Sequence, residues 1–188
     1  CRFNGSLYRY RHFWIFELET QNDIGLMKKV AIIGPESSGK TVLTHFLADH
    51  FSGIHIEEKA RNYLHQLSEP YTLQDVENIA KLQWGAIQQY QNENQWLFCD
   101  TELLVIALWT QEVFQTSIPW VQDSLAHQPF DHFLLCAPDL PWHPDPLREA
   151  PDLATRKRYF NWFENQLQNI GYPYSIIKGK EREALAIQ

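Results

Sequence analysis

Short apolar runs alternate with segments whose apolar residues recur three or four apart. Val30 to Ile33 is a continuous apolar run, the pattern of a buried strand. Val42, Leu43, Phe46, Leu47 and Phe51 follow at helical spacing. "GIHIEE" (Gly53 to Glu58) alternates like a short strand, and "KARNYLHQL" reads as a helix. Thr72 with Asp75 has the form of a capping box and opens a long helix over 73–92. Its stripe is Val76, Ile79, Ala80, Ile87 and Tyr90, and the polar Gln83 falls on it. "WLFCD" (Trp96 to Asp100) is a strand ending in an acid, followed by the helix "ELLVIALWTQEVFQ" and another from Trp120 to Ala126. "HFLLCAP" (His132 to Pro138) is a further strand, and the proline-rich "DLPWHPDPLREAPD" is a loop. Asp152 caps a helix from Leu153 to Ile170, which Gly171 closes. "PYSIIKG" (Pro173 to Gly179) is the last strand, and "EREALAIQ" begins a final helix.

Strands that alternate with helices in this way predict an α/β fold of three layers, with a central parallel sheet of about five strands covered on both faces. Ligands of such sheets bind at the carboxyl ends of the strands. The turn after Ile33, Glu58, Asp100, the proline-rich loop and the Gly179 turn all fall on that edge.

The turn after the first strand is Gly34-Pro-Glu-Ser-Ser-Gly-Lys-Thr41, which fits G-x-x-x-x-G-K-[ST]. A phosphate chain is stabilised by several inward-pointing backbone N–H groups and by the positive end of a helix. Glycines let the backbone curl closely enough to reach the oxygens. Lys40 would neutralise β- and γ-phosphate charge, and the Thr41 hydroxyl would ligate Mg²⁺.

Other polar residues stand out by position. Asp100 ends a strand where the Mg²⁺-organising acid of phosphate-loop proteins is expected, or it caps the helix beginning at Glu102. Glu58 also ends a strand; it accepts a proton from an acceptor hydroxyl or holds a sugar, or it is a solvated surface acid. Arg156 lies on the inward stripe of Leu153, Phe160, Phe163, Leu167 and Ile170, where an unpaired guanidinium is costly. It suits a lid that closes on transferring phosphate, or it pairs with a nearby carboxylate. Lys157 and Arg158 lie off the stripe. Gln83 is a ligand contact or a satisfied core amide.

Composition narrows the classes further. A chain of 188 residues suggests one domain with a full core. Its net charge of −7 argues against a general nucleic-acid binder. No apolar run approaches the roughly 20 residues of a membrane span, and a cytoplasmic protein with no membrane partner is expected. Cys1, Cys99 and Cys136 lack metal-ligand spacing and suit core thiols of a reducing compartment. No histidine pair has ligand spacing, so no metal site made by protein groups alone is expected. "CRFNGSLYRYRHFWIFELETQNDIGL" is rich in arginine and aromatic residues, a composition that also suits an RNA or membrane-surface contact. Met27, the one methionine, stands directly before the first strand. The domain is therefore expected to be residues 27–188, with 1–26 a disordered or non-native extension or the remnant of a longer chain.

From Met27 onward the chain resembles the ribosylnicotinamide kinase domain of NadR-type bacterial NAD-salvage proteins, sometimes filed among AAA-like ATPase domains. The resemblance is carried by "GPESSGKT", "EEKARNYL", Gln83 in its helix, "FCDTELLVIALW", "PDLPWHPDPLRE" with Arg156 following, and the G-x-x-R of Gly179 to Arg182. It implies a phosphate-loop, nucleoside-kinase-like fold that moves the ATP γ-phosphate to the 5′-hydroxyl of nicotinamide riboside, giving nicotinamide mononucleotide. By position, Gly34, Glu36, Ser37, Ser38, Gly39, Lys40 and Thr41 would hold ATP, and Asp100 would serve Mg²⁺. Glu58, Arg61 and Gln83 would line the acceptor pocket, Arg148 and Arg156 would be lid arginines, and Arg182 would lie near the adenine. An H-x-G-H-type adenylyltransferase motif is absent from these residues, so adenylylation is not expected of them. The competing classes are a hydrolytic switch or motor and a nucleotide sensor. Against the first, "CAPDLPW" stands where a guanine-reading N-K-x-D would follow the fourth strand, and the length of 27–188 is not expected to hold the extra helical lid of a mechanical AAA ATPase. Intact Lys40, Thr41 and Asp100 argue against the second. The oligomeric state stays open.

Overall fold

The computed structural model describes residues 29–90 and 95–187, so the expectation for 1–26 lies outside it, whereas the helix expected over 73–92 already ends at Gln88. Strand β1 (Lys29–Ile33) is buried along its whole length. Its alternation decides the layers: Val30 and Ile32 face one apolar cluster, Ala31 and Ile33 the other. Only a strand covered on both faces has that pattern.

The remaining strands and α-helices among the described residues are α1 (Lys40–His50), β2 (Ile54–Ile56), α2 (Lys59–Leu64), α3 (Leu73–Gln88), β3 (Leu97–Asp100), α4 (Leu103–Phe114), α5 (Pro119–Ser124, continued by a 3-10 turn over Leu125–His127), β4 (His132–Cys136), α6 (Leu153–Ile170), β5 (Tyr174–Ile177) and α7 (Arg182–Ala186). The five strands form one sheet in the order β2-β3-β1-β4-β5, and every pairing is parallel. Leu43 and Leu47 of α1 and Ala186 of α7 cover one face. Ile79 of α3, Leu104 of α4 and Phe163 of α6 cover the other. Each fully buried Leu, Ile or Phe among them contributes roughly 1.5–3 kcal/mol, so tertiary burial holds the short helices and strands in place. The three-layer parallel sheet expected from the alternation is the observed fold. Among the described residues no helix is long and apolar enough to cross a membrane.

Local signals explain several boundaries. Thr72 and Asp75 form the reciprocal capping box at the start of α3, the Asp152 side chain caps α6, and Gly171 ends it. Three further expectations need correction. Strand β2 stops at Ile56, because pairing with β3 ends at Ile56 opposite Cys99 and Glu58 becomes the N-cap of α2. Val42 is 65% exposed and Leu153 46% exposed. Both sit in the first turn of their helices, where the apolar stripe runs past the end of the sheet. Cys99 and Cys136 are buried free thiols.

Candidate functional site

Parallel pairing brings the ends of β1, β3 and β4 to one edge, with Asp100 level with Ile32. There β1 passes directly into the Gly34–Thr41 turn, and α1 begins within it. Gly34 has φ +143°, and a Cβ on it would stand 2.5 Å from the Cys136 carbonyl oxygen. No side chain fits there, so the turn lies against the end of β4. Gly39, the N-cap of α1, has φ +80°, a conformation glycine takes at no steric cost. Ser37 (φ +54°) and Thr101 (φ +73°) take the left-handed region without being glycine. Each such residue costs on the order of 1 kcal/mol; the first lies within the turn and the second directly follows Asp100.

Within the turn, Ser38 Oγ donates to the Pro35 carbonyl at 2.7 Å, and Lys40 Nζ donates to the same oxygen at 3.0 Å. The Thr41 hydroxyl donates to Asp100 Oδ2 at 2.6 Å. Asp100 is 2% exposed, and its Oδ1 has no hydrogen-bond partner among the described residues. A buried carboxylate oxygen left unsatisfied beside a hydroxyl fits a hard divalent cation, which takes oxygen ligands. The capping alternative for Asp100 falls away, because Glu102 is the N-cap of α4 and its carboxylate accepts from the Leu104 N–H at 2.8 Å.

A cavity of about 470 Å³ runs from this turn across Glu58 and Arg61 to Tyr71, Trp109 and Tyr159, a volume typical of small-molecule sites. Glu58 is partly buried on its wall. Burial holds its carboxyl above the ordinary glutamate value, while nearby Lys40 pulls the other way. The proline-rich loop between β4 and α6 closes one side. Arg61 pairs with its Asp145 at 2.9 Å, and the Tyr71 hydroxyl donates to Glu149 at 2.8 Å while accepting from Trp109 Nε1 at 3.1 Å. Arg148 lines the cavity, and its guanidinium donates to the His143 carbonyl at 2.6 Å. Glu36 commits both carboxylate oxygens to the N–H groups of Glu149 and Ala150, at 2.9 and 3.0 Å.

The structure thus brings the expected residues Gly34, Glu36 to Thr41, Glu58, Arg61 and Arg148 onto one cavity, with Asp100 bonded to Thr41 behind it. Three others are elsewhere. Gln83 is 1% exposed; its oxygen accepts from Lys59 N at 2.9 Å and its amide donates to the Thr101 carbonyl at 3.0 Å. It braces the start of α2 and the turn after Asp100 from within the core. Arg156 is buried under the proline-rich loop, where its guanidinium donates to the Leu140 carbonyl at 3.4 Å and its Nε has no partner among the described residues. Arg182 donates to the carbonyls of Ile177 and Ala137, each at 3.0 Å, and pairs with Asp139. Its stem lies 3.7 Å from where a Cβ on Gly39 would be, so it supports the turn from behind.

Tyr71, Trp109, Asp145 and Glu149 belong to the site but carry no individual role in the sequence analysis, although the last three stand within the stretches that carry the resemblance. One signal was available: α4 is apolar on more than the face it buries. Its surplus stripe of Val105, Trp109 and Val113 is the one that lines the cavity.

Residues 29–184 match the profile of a family described as AAA domain. The chain belongs to that family. It is 28% identical over 164 residues to the trifunctional NAD biosynthesis/regulator protein NadR of Escherichia coli (strain K12), covering 84% of this chain and 40% of that protein. The NadR protein of Salmonella typhimurium is 27% identical over 158 residues, 81% of this chain and 38% of that one. The chain therefore spans about 40% of the length of these curated relatives. A crystal structure of NadR in complex with NR matches with a TM-score of 0.72 at 22% identity, covering 86% of this chain and 50% of that one. Deoxyadenosine kinase from M. mycoides matches with a TM-score of 0.58 at 11% identity, covering 85% and 94%. The NadR resemblance carried by the motifs holds, and the fold is that of phosphate-loop kinases.

Proposed function

We propose that the protein transfers the γ-phosphoryl group of ATP to the 5′-hydroxyl of a nucleoside, with nicotinamide riboside as acceptor and nicotinamide mononucleotide as product. One observation carries this reading: a single cavity joins the phosphate-binding turn to a half-buried carboxylate and an aromatic pocket. A switch or sensor needs the first of these but not the other two. The choice of nicotinamide riboside rests on the likeness to NadR.

The turn residues hold the triphosphate through backbone N–H groups, and Lys40 leaves the Pro35 carbonyl to meet phosphate oxygens. Thr41 and Asp100 would hold Mg²⁺, which supplies charge neutralisation along the phosphates when bound. Glu58 accepts the proton of the attacking hydroxyl, a role its raised pKa favours. Arg61 borders the acceptor, and the aromatic rings of Tyr71, Trp109 and Tyr159 enclose its base. Arg148 lies on the cavity wall as the loop-side cation, and Arg156, buried beneath the same loop with its Nε unpartnered among the described residues, supports that loop from below.

The test is ADP release measured against a panel of nucleosides that includes nicotinamide riboside. Stimulation of severalfold by the riboside, with formation of its mononucleotide, is the expected outcome. Stimulation by another nucleoside corrects the acceptor, and stimulation by none defeats the kinase reading.

A further inference from the structure

An acid inside a phosphate-binding turn is unfavourable in isolation, because a carboxylate repels the triphosphate nearby. Glu36 is in that position, and its hydrogen bonds show where its charge goes. Oε1 accepts from the Glu149 N–H at 2.9 Å and Oε2 from the Ala150 N–H at 3.0 Å. Next to it, Ser37 Oγ accepts from the His143 N–H at 3.2 Å. The segment from His143 to Ala150 therefore stands on the turn at two adjacent residues. Arg148 braces it from inside, through its 2.6 Å bond to the His143 carbonyl. Bonds to an ionised acceptor are roughly twice as strong as neutral ones, so Glu36 is the stronger of the two feet.

We propose that Glu36 is a positioning residue: its carboxylate seats the loop that carries Arg148 on the phosphate-binding turn, and that carboxylate does not contact the nucleotide. The arginine then stands at a fixed place relative to the phosphates, because its loop and the phosphates share one support. This rests on the kinase reading of the cavity. The side chain must be long enough to span the gap and must offer two acceptors. Glutamine keeps the shape but turns an amide N–H toward a backbone N–H, so one bond is lost.

The experiment compares wild type, Glu36→Ala, Glu36→Gln, Arg148→Ala and the Glu36→Ala/Arg148→Ala double variant. Steady-state kinetics with ATP and the best nucleoside of the panel form the first arm. Glu36→Ala should lower kcat by about tenfold or more, leave the KM for ATP within about twofold, and make the double variant no slower than Arg148→Ala alone. Trypsin cleavage at the Arg148–Glu149 bond is the second arm and needs no activity. It should quicken by about tenfold in Glu36→Ala and by less in Glu36→Gln. A rise in the KM for ATP at unchanged kcat would make Glu36 a nucleotide ligand and overturn the proposal. So would additive losses in the double variant, or an unchanged cleavage rate in a folded Glu36→Ala protein. If Glu36→Ala melts too low to assay, Glu36→Gln carries the same comparisons. Failure of the wild type to phosphorylate any nucleoside defeats the kinase reading alone, and the cleavage rates still decide whether Glu36 seats the loop.

Discussion

The phosphate end of the cavity is supplied by consecutive residues, Gly34 to Thr41, whereas the other end takes Glu58, Tyr71, Trp109 and Tyr159 from four separate stretches of the chain. The first end is a local backbone conformation. Its donors are main-chain groups whose directions follow from φ and ψ once Gly34 and Gly39 permit the turn. The second end exists only when α2, α4, α6 and the proline-rich loop have packed, and side-chain bonds such as Arg61–Asp145 and Tyr71–Glu149 hold it. A local device fails at a single residue. An assembled one is expected to weaken by degrees, since each tether carries only part of it.

Lys40→Ala tests the local end and carries the largest expected effect. Removing one preorganised positive contact to charge that develops in the transition state costs about 10²–10³ in rate. Among the described residues the Lys40 ammonium bonds to the Pro35 carbonyl of its own turn alone, so the melting temperature should barely move. Turnover by ADP release and a thermal melt of the same sample measure both. A folded variant with near-normal turnover would remove Lys40 from the chemistry and erase the contrast.

The same division explains what could be read from the chain alone. The layers, the phosphate-binding turn and the caps at Thr72, Asp152 and Gly171 were legible, because each depends on residues within a few positions of one another. Val42 and Leu153 misled, because a helical stripe says which face is apolar but not where the sheet beneath it ends. Gln83 and Arg156 were ambiguous for a related reason. Periodicity placed both on inward faces, as the structure does, but whether an inward polar group meets a ligand or the scaffold depends on contacts across the fold. Gln83 meets Lys59 and Thr101. Of the acceptor pocket, Glu58 showed by its place at a strand end and Arg61 through the resemblance, whereas the aromatic wall left only the surplus apolar stripe of α4 as a trace.

Glu102 sharpens the comparison on the scaffold between the two ends. It stands two residues after Asp100, yet one acid serves the cavity and the other the core. Glu102 is fully buried; one oxygen caps α4 and the other has no partner among the described residues. Burial pushes its pKa from 4.5 to about 7. Below the unfolded value both states keep the proton, and the group adds no pH dependence. As pH rises toward 7 the unfolded chain ionises first, so stability falls, and the loss levels off above the folded value. At 1.36 kcal/mol per unit the full loss is about 3 kcal/mol. Glu102→Gln keeps an oxygen for the Leu104 N–H and cannot ionise. Its stability advantage over wild type should therefore grow by about that amount between pH 4 and pH 8 in denaturant titrations. A difference that stays constant with pH would mean Glu102 is solvated or already ionised in the folded protein.

Tyr71→Phe probes the assembled end, where the smallest change is expected. The hydroxyl links three elements, accepting from Trp109 on α4 and donating to Glu149 on the proline-rich loop, while the ring packs edge-on against Trp109 at 5.1 Å. The substitution keeps the ring and removes both hydrogen bonds. Glu149 is exposed and turns to water, whereas the indole N–H loses a half-buried partner. A typical net hydrogen bond is worth about 0.5–1.5 kcal/mol, which limits the change in acceptor affinity to roughly tenfold. The acceptor KM should rise severalfold while the KM for ATP stays put, because Tyr71 touches no residue of the phosphate-binding turn through these bonds. Burial pushes the Tyr71 pKa up to about 12, so the hydroxyl keeps its proton, and the KM ratio of variant to wild type should be flat from pH 6 to 9. A variant that loses ATP affinity as well would show that the tethers of the loop act as one unit reaching back to the turn through Glu36. The two ends of the cavity would then be coupled rather than separate.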